Sequence, residues 1–331
     1  MNEQLIVSGR NIPELYPHLD VWGFGIPLYL FIGGLAAGIL LFATYYYMIG
    51  KADKMPMTVK VSTIVPPIII ALGLAFLIGD LHHKPFFWQL LTHFRFSSPM
   101  SWGAWVLTII FIMSIFWPLS FIDDIIKYFE ENNRKKWANA FNWIKRVVEK
   151  ISIIKKLVDW TAKNRSPFAG VLFILSIILG IYTGILLSTM QARPLWNTSI
   201  LGVIFLTSGV STGAAAIMWM STDKQEKTLF SRIDVVLVIT ELILIGIMIL
   251  TMIDGPQMQI QAVKLFLGGE FTLSFWILFI GLGLVFPLVL ELLELKGYHV
   301  PIWVPAFFIL AGGLLFRIIM VSAGQISHIA H

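Results

Sequence analysis

The chain of 331 residues contains no cysteine. Iron–sulfur clusters are held by cysteine thiolates, so no conventional cluster can belong to this polypeptide itself. Charge is the next scarcity. Asp, Glu, Lys and Arg make up 13% of the residues against 57% hydrophobic ones, whereas soluble domains are about a quarter charged. That balance excludes an ordinary water-soluble domain, and nucleic acid is not an expected partner. Histidine is sparse and peripheral. His18, His82, His83, His93, His299, His328 and His331 all fall at the ends of apolar runs, in loops or in tails, so no pair is placed to clamp a haem inside a helical bundle. The first 20 residues also lack a basic stretch followed by a short apolar core and a cleavage site, and a retained N-terminus is expected.

What the sequence does contain is apolar length. Runs of roughly 20 apolar residues cross a bilayer core as helices, and eight occur, near 22–49, 61–80, 101–122, 167–190, 197–220, 233–253, 271–293 and 303–325. None alternates apolar and polar residues as a membrane β-strand does. The expected fold is an all-α integral membrane protein with eight transmembrane helices. Cytoplasmic loops accumulate Lys and Arg. Of the 24 such residues, the N-terminus and even-numbered loops hold five, Arg10, Lys84, Arg95, Arg193 and Lys264, the odd-numbered loops hold 18, and Arg317 sits within a helix. This distribution predicts a multi-pass protein of the cytoplasmic membrane with both termini outside. The chain then divides into an outer N-terminal segment (1–21), transmembrane helices 1–3 (22–126), a cytoplasmic insertion (127–166), and transmembrane helices 4–8 with an outer C-terminal tail (167–331).

Eleven of the 18 inner charges lie between Lys127 and Arg165. Within that stretch Trp137, Phe141, Ile144, Val148 and Ile151 recur every three or four residues, while Lys135, Lys136, Lys145, Arg146, Lys155 and Lys156 largely take the other face. The pattern is that of a basic amphipathic helix lying on an anionic leaflet; a docking surface for a cytoplasmic partner is the alternative. Two small-residue motifs stand out in the spans. FIGGLAAGI (31–39) places Gly34 and Gly38 four apart in span one, and LTSGVSTGA (206–214) does the same with Gly209 and Gly213 in span five. Such spacing lets helix backbones approach closely. Four spans restore the chain direction, so parallel repeats forming two four-helix bundles side by side are expected.

Polar residues inside the apolar runs are the candidate functional groups, because ionisable side chains within a membrane are costly. FLIGDLHHKPFFW (76–88) ends an apolar run on Asp80, His82 and His83. These three can bind a metal, titrate protons, or mark where the helix leaves the bilayer; no further clustered ligand supports the metal. Tyr29, Tyr182 and Arg317 lie at a similar depth, roughly 12 Å from the outer end of their spans at about 1.5 Å per residue. Either tyrosine can equally be an interfacial anchor. Arg317 in LLFRIIMVSAGQ requires a partner or a polar cavity. Glu241 in VLVITELILIGI is deeper, and serves either proton movement or a hydrogen bond to a neighbouring helix. An ion or solute transporter remains a competing reading, since Glu241, Arg317 and the Pro66-Pro67 pair suit the interrupted helices and midplane charges of transporters.

Four longer stretches carry more information: YLFIGGLAAG (29–38), GDLHHKPFFWQLLTHFRFSSPMSWGAW (79–105), GIYTGILLSTMQARPLWN (180–197) and FRIIMVSAGQ (316–325). Together they resemble the signatures of the NrfD/PsrC family, the membrane subunits of polysulfide reductase and related enzymes, across all eight spans in order. The long basic insertion departs from compact family members. The resemblance implies a subunit that exchanges electrons between a membrane quinone, such as menaquinol, and an outward-facing ferredoxin-like iron–sulfur subunit attached to a molybdopterin catalytic subunit. It places the quinone in the outer part of the first bundle, with Tyr29, Asp80 and Tyr182 carried over by position. Tyr29 and Tyr182 can donate hydrogen bonds to a headgroup, and Asp80 is the candidate proton acceptor. Trp102 and Trp88 can shape an apolar slot, or belong to the interfacial belt. His82 and His83 are a possible outward route for protons, with Glu241 and Arg317 as further proton-pathway candidates. Polysulfide or sulfur is the first expectation for the terminal substrate. A passive anchor without a working quinone site is the third reading.

Overall fold

A computed structural model describes residues 22–327 apart from 81–85, 87, 93, 96–97 and 191. Among the described residues all regular structure is helical, and eight helices are long and apolar enough to cross a membrane. In chain order the α-helices are α1 (Gly25–Met48), α2 (Val65–Asp80), the short α3 (Gln89–Thr92), α4 (Pro99–Leu119), α5 (Ile122–Glu131), α6 (Lys135–Lys150), α7 (Ser152–Lys163), α8 (Arg165–Ser188), α9 (Leu201–Met220), α10 (Lys224–Ile253), α11 (Gln257–Lys264), α12 (Phe286–Leu295) and α13 (Trp303–Ile326). The spanning helices are apolar on nearly every side, as expected where one face meets lipid and another meets protein.

Several boundaries have local causes. Pro99 stands in the first turn of α4, where its missing N–H leaves no bond unmade. The Asp223 carboxylate caps α10 by accepting from the Gln225 N–H at 3.2 Å, the usual role of a short acidic side chain at a helix start. Span two begins earlier than its hydropathy indicates, with a π-helical turn at Met57–Val61 and a tighter turn at Ser62–Ile64 before α2. Pro66 and Pro67 lie in the first turn of α2, inside a continuous helical span, Met57–Gly79, whose hydrogen-bonding pattern is irregular just ahead of them, as the missing proline N–H requires. Span seven enters α12 through a π-helical stretch, Ser274–Val285.

The basic insertion differs from a single helix on a leaflet. It folds into α5, α6 and α7, with Ile151 extended between the last two. Phe141 and Ala138 are buried, and the Phe141 ring stacks on Phe129 of α5 at 5.6 Å between centroids. The reason is that α5 offers Ile125, Ile126 and Phe129 as a ready apolar face. The stripe expected to meet lipid is thus partly consumed by intramolecular packing, while its Trp137 and Ile151 remain exposed. Lys145, paired with Asp123 at 2.7 Å, ties α6 to α5.

α1 packs against α2, α8, α9 and α13; α4 packs against both α2 and α8. In the second half, α9 packs on α10, α10 on α12, α12 on α13 and α13 on α9. The two glycine motifs meet each other at the α1–α9 crossing. A Cβ on Gly209 would lie 2.9 Å from the Gly34 carbonyl oxygen, and one on Gly213 would lie 2.6 Å from the Gly38 carbonyl carbon. Only hydrogen fits between these backbones, which is why four small residues at this spacing bring the halves together.

Candidate functional site

Four helices of the first half contribute to one end of the molecule. Gly25 at the start of α1 stands beside Phe76 near the end of α2, so the α2 terminus carrying Asp80 lies at the same end as Tyr29. Tyr29 is buried on α1 and Tyr182 on α8, and the two phenols are within electrostatic reach of one another. Neither phenol makes a hydrogen bond among the described residues. The Tyr29 ring passes Gly73 of α2, where a Cβ would lie 3.6 Å from Cδ2. The Tyr182 phenol fills the notch left by Gly103 of α4 so completely that a Cβ there would overlap its ring. The neighbouring Trp102 is 46% exposed and meets Phe94 edge to face at 5.2 Å. Asp80 closes α2; its side chain, and His82 and His83, lie outside the described residues, as does the metal reading built on those three.

The end of this half is fastened by residues whose role sequence reasoning missed. Trp196 donates from Nε1 to the Met320 carbonyl at 2.7 Å, stacks on Trp22 at 5.4 Å, and occupies the space above Gly324. Gln325 accepts from the Trp22 N–H at 2.9 Å and donates to its carbonyl at 3.1 Å. Arg193 donates to the Gln325 carbonyl at 2.5 Å, and desolvation lowers its pKa from the usual arginine value. The RPLWN and SAGQ segments therefore clamp α13 to the α8–α9 connection.

A second polar region runs through the other half. Arg317 is fully buried on α13. It donates to the Ser208 hydroxyl, to the Gly313 carbonyl at 3.1 Å and to the Phe205 carbonyl at 3.1 Å, with the Phe205 ring 4.9 Å from its guanidinium carbon. Glu241 of α10 is buried beside it, and both side chains converge on Ser208. The partners that a lone membrane arginine requires are thus a serine hydroxyl and two carbonyls, with the Glu241 carboxylate within electrostatic reach. Nearer the basic end, Asp234 of α10 accepts from the Ser211 hydroxyl at 2.7 Å and faces Glu291 of α12. Asp234, Glu291 and Glu294 escaped the sequence reading because each sits close to a span end, where a carboxylate ordinarily reaches water. For Asp234 the available signal was the phase: it precedes Glu241 by seven residues, two turns along one helix face.

Comparison with known proteins follows the same outline. The model of the family described as "Polysulphide reductase, NrfD" matches residues 11–330. The protein named NrfD of Escherichia coli strain K12 is 29% identical over 320 residues, covering 93% of this chain and 96% of its own length. The polysulfide reductase C chain of Wolinella succinogenes is 28% identical over 325 residues, 92% of the present sequence and 94% of its own. The selenate reductase C subunit of Mesobacillus selenatarsenatis is 24% identical over 329 residues, 92% of the present sequence and 74% of its own.

Proposed function

This chain belongs to the polysulphide reductase NrfD family, and on that footing we propose that it is the quinone-reactive membrane subunit of a respiratory oxidoreductase complex of polysulfide- or sulfur-reductase type. It lies in the cytoplasmic membrane with both termini outside, as two four-helix bundles: α1, α2, α4 and α8 in one, α9, α10, α12 and α13 in the other. Its partners are a ferredoxin-like iron–sulfur subunit on the outer face and a molybdopterin catalytic subunit beyond it, which performs the terminal reduction.

One observation carries this reading. Two phenols without hydrogen-bond partners among the described residues, on α1 and α8, stand together at the end where α2 terminates in Asp80. Two neighbouring phenols with no hydrogen-bond partner among the described residues fit a ligand bearing two carbonyl or hydroxyl oxygens. A menaquinol held there would supply two electrons and two protons. Tyr29 and Tyr182 donate hydrogen bonds that orient its headgroup. Trp102 covers the slot from the lipid side. Asp80 accepts protons at the α2 terminus, with His82 and His83 passing them outward. Glu241 and Arg317 belong to a separate proton pathway in the second bundle.

The decisive measurement is quinol-dependent reduction of the partner's clusters in membranes carrying Asp80→Asn or Tyr182→Phe. Each should slow reduction about tenfold, the kinetic equivalent of roughly 1.4 kcal/mol. Unchanged rates in both variants remove the proposed site.

A further inference from the structure

The second bundle contains carboxyl groups that the quinone site does not use. Asp234 and Glu291 are both fully buried. Asp234 Oδ1 is satisfied by Ser211, but Asp234 Oδ2 and both Glu291 oxygens have no hydrogen-bond partner among the described residues. They face one another across the packed α10 and α12 helices. The charged groups that act on them, Glu241 from α10 and Glu294 from α12, are acidic as well. Arg317 from α13 acts on Glu241, and α9 contributes only the Ser211 hydroxyl to the pair.

Two unpaired carboxylates cannot both remain ionised in such surroundings, because each loses its hydration and repels the other. A single proton between them relieves both costs and converts one oxygen into a donor. The proton also has a way in. Glu294 follows Glu291 by one turn, about 4.5 Å along α12 at 1.5 Å per residue. It is half-buried, with Lys224 and Lys227 from the first turn of α10 acting on it. These lysines stand at the end of the bundle that also carries α5, α6 and α7. In the other direction Asp234 precedes Glu241 by two turns, roughly 10 Å.

We propose that Asp234 and Glu291 share one exchangeable proton and trade it with water at the basic end of the bundle through Glu294. In the exchange the O–H bond on Asp234 or Glu291 breaks as one forms on the Glu294 carboxylate, Glu294 gives that proton to water as hydronium, and a proton from hydronium returns to the pair by the same steps in reverse. The pair is a proton-holding station between that end and the Glu241–Arg317 site, and it operates whether or not a quinol is bound.

Infrared spectroscopy of the purified complex in lipid nanodiscs tests this. The wild type should show the carbonyl stretch of a buried protonated carboxyl group, shifting down on transfer to deuterated water. The band should vanish in the double variant Asp234→Asn, Glu291→Gln. Glu294→Gln should keep the band and slow the deuterium shift about tenfold, equivalent to roughly 1.4 kcal/mol on the transfer barrier. A wild type without the band, a band that survives in the double variant, a deuterium shift unaltered by Glu294→Gln, or loss of the band on adding sodium ions at constant pH each overturns the proposal. Substituting amides for these acids preserves volume, and size-exclusion elution of the same samples reports folding. Failure of the quinone site would leave this infrared result untouched, and the reverse also holds.

Discussion

Gly103 carries no side chain, and the Tyr182 phenol occupies the room that one would take. Gly103→Ala must therefore push the phenol aside by an ångström or more. If Tyr182 orients the quinol, a displacement of that size lowers quinol-dependent turnover by up to about a hundredfold, with the assembled complex still present on native gels. At Arg317 the energetic question is different. A buried charge whose counter-charge is removed costs about 3–5 kcal/mol, whereas removing both partners costs much less. Arg317→Gln should lower the thermal unfolding temperature sharply. Adding Glu241→Gln should recover part of the loss, and a double variant no more stable than the single one would dissociate the two residues energetically.

At the scale of elements, the α1–α9 crossing depends on backbone contact. Gly213→Ala places a methyl group 2.6 Å from the Gly38 carbonyl carbon, and overpacking of this kind costs about 1–3 kcal/mol. Gly246 of α10 has open space around its Cβ position, so Gly246→Ala should be neutral or slightly stabilising, since alanine favours helix. Thermal unfolding of both variants in one detergent measures the contrast. The insertion shows the same competition in another form. Periodicity identified its apolar stripe, but Phe129 on α5 claims Phe141 before lipid can. A periodic stripe specifies that a face is covered, not by what.

For the molecule as a whole, orientation is the property with the widest consequences, since it decides which solution meets Tyr29 and Asp80. The absence of native cysteine makes the test clean. A Ser152→Cys variant, at the exposed start of α7, should react with a membrane-impermeant maleimide in inverted vesicles and stay unlabelled in intact cells. Labelling in intact cells would reverse the topology and move the quinone site to the cytoplasmic side.

Helical class, the number of spans and the family were legible in the chain itself, because hydropathy and span length follow from composition along one dimension and the SPMSWGAW and RPLWN segments are locally distinctive. Tyr29, Asp80, Tyr182 and Trp102 were nameable for the same reason, each lying inside a recognisable stretch. What the sequence by itself could not determine is which polar residues share an environment. Asp234 and Glu291 are 57 positions apart, and only the packing of α10 on α12 makes them neighbours and denies them water. Likewise Gly103 has meaning only through Tyr182, and Gly34 and Gly38 only through Gly209 and Gly213. Burial, pairing and steric exclusion are properties of distances between helices, and those distances are set when the helices pack.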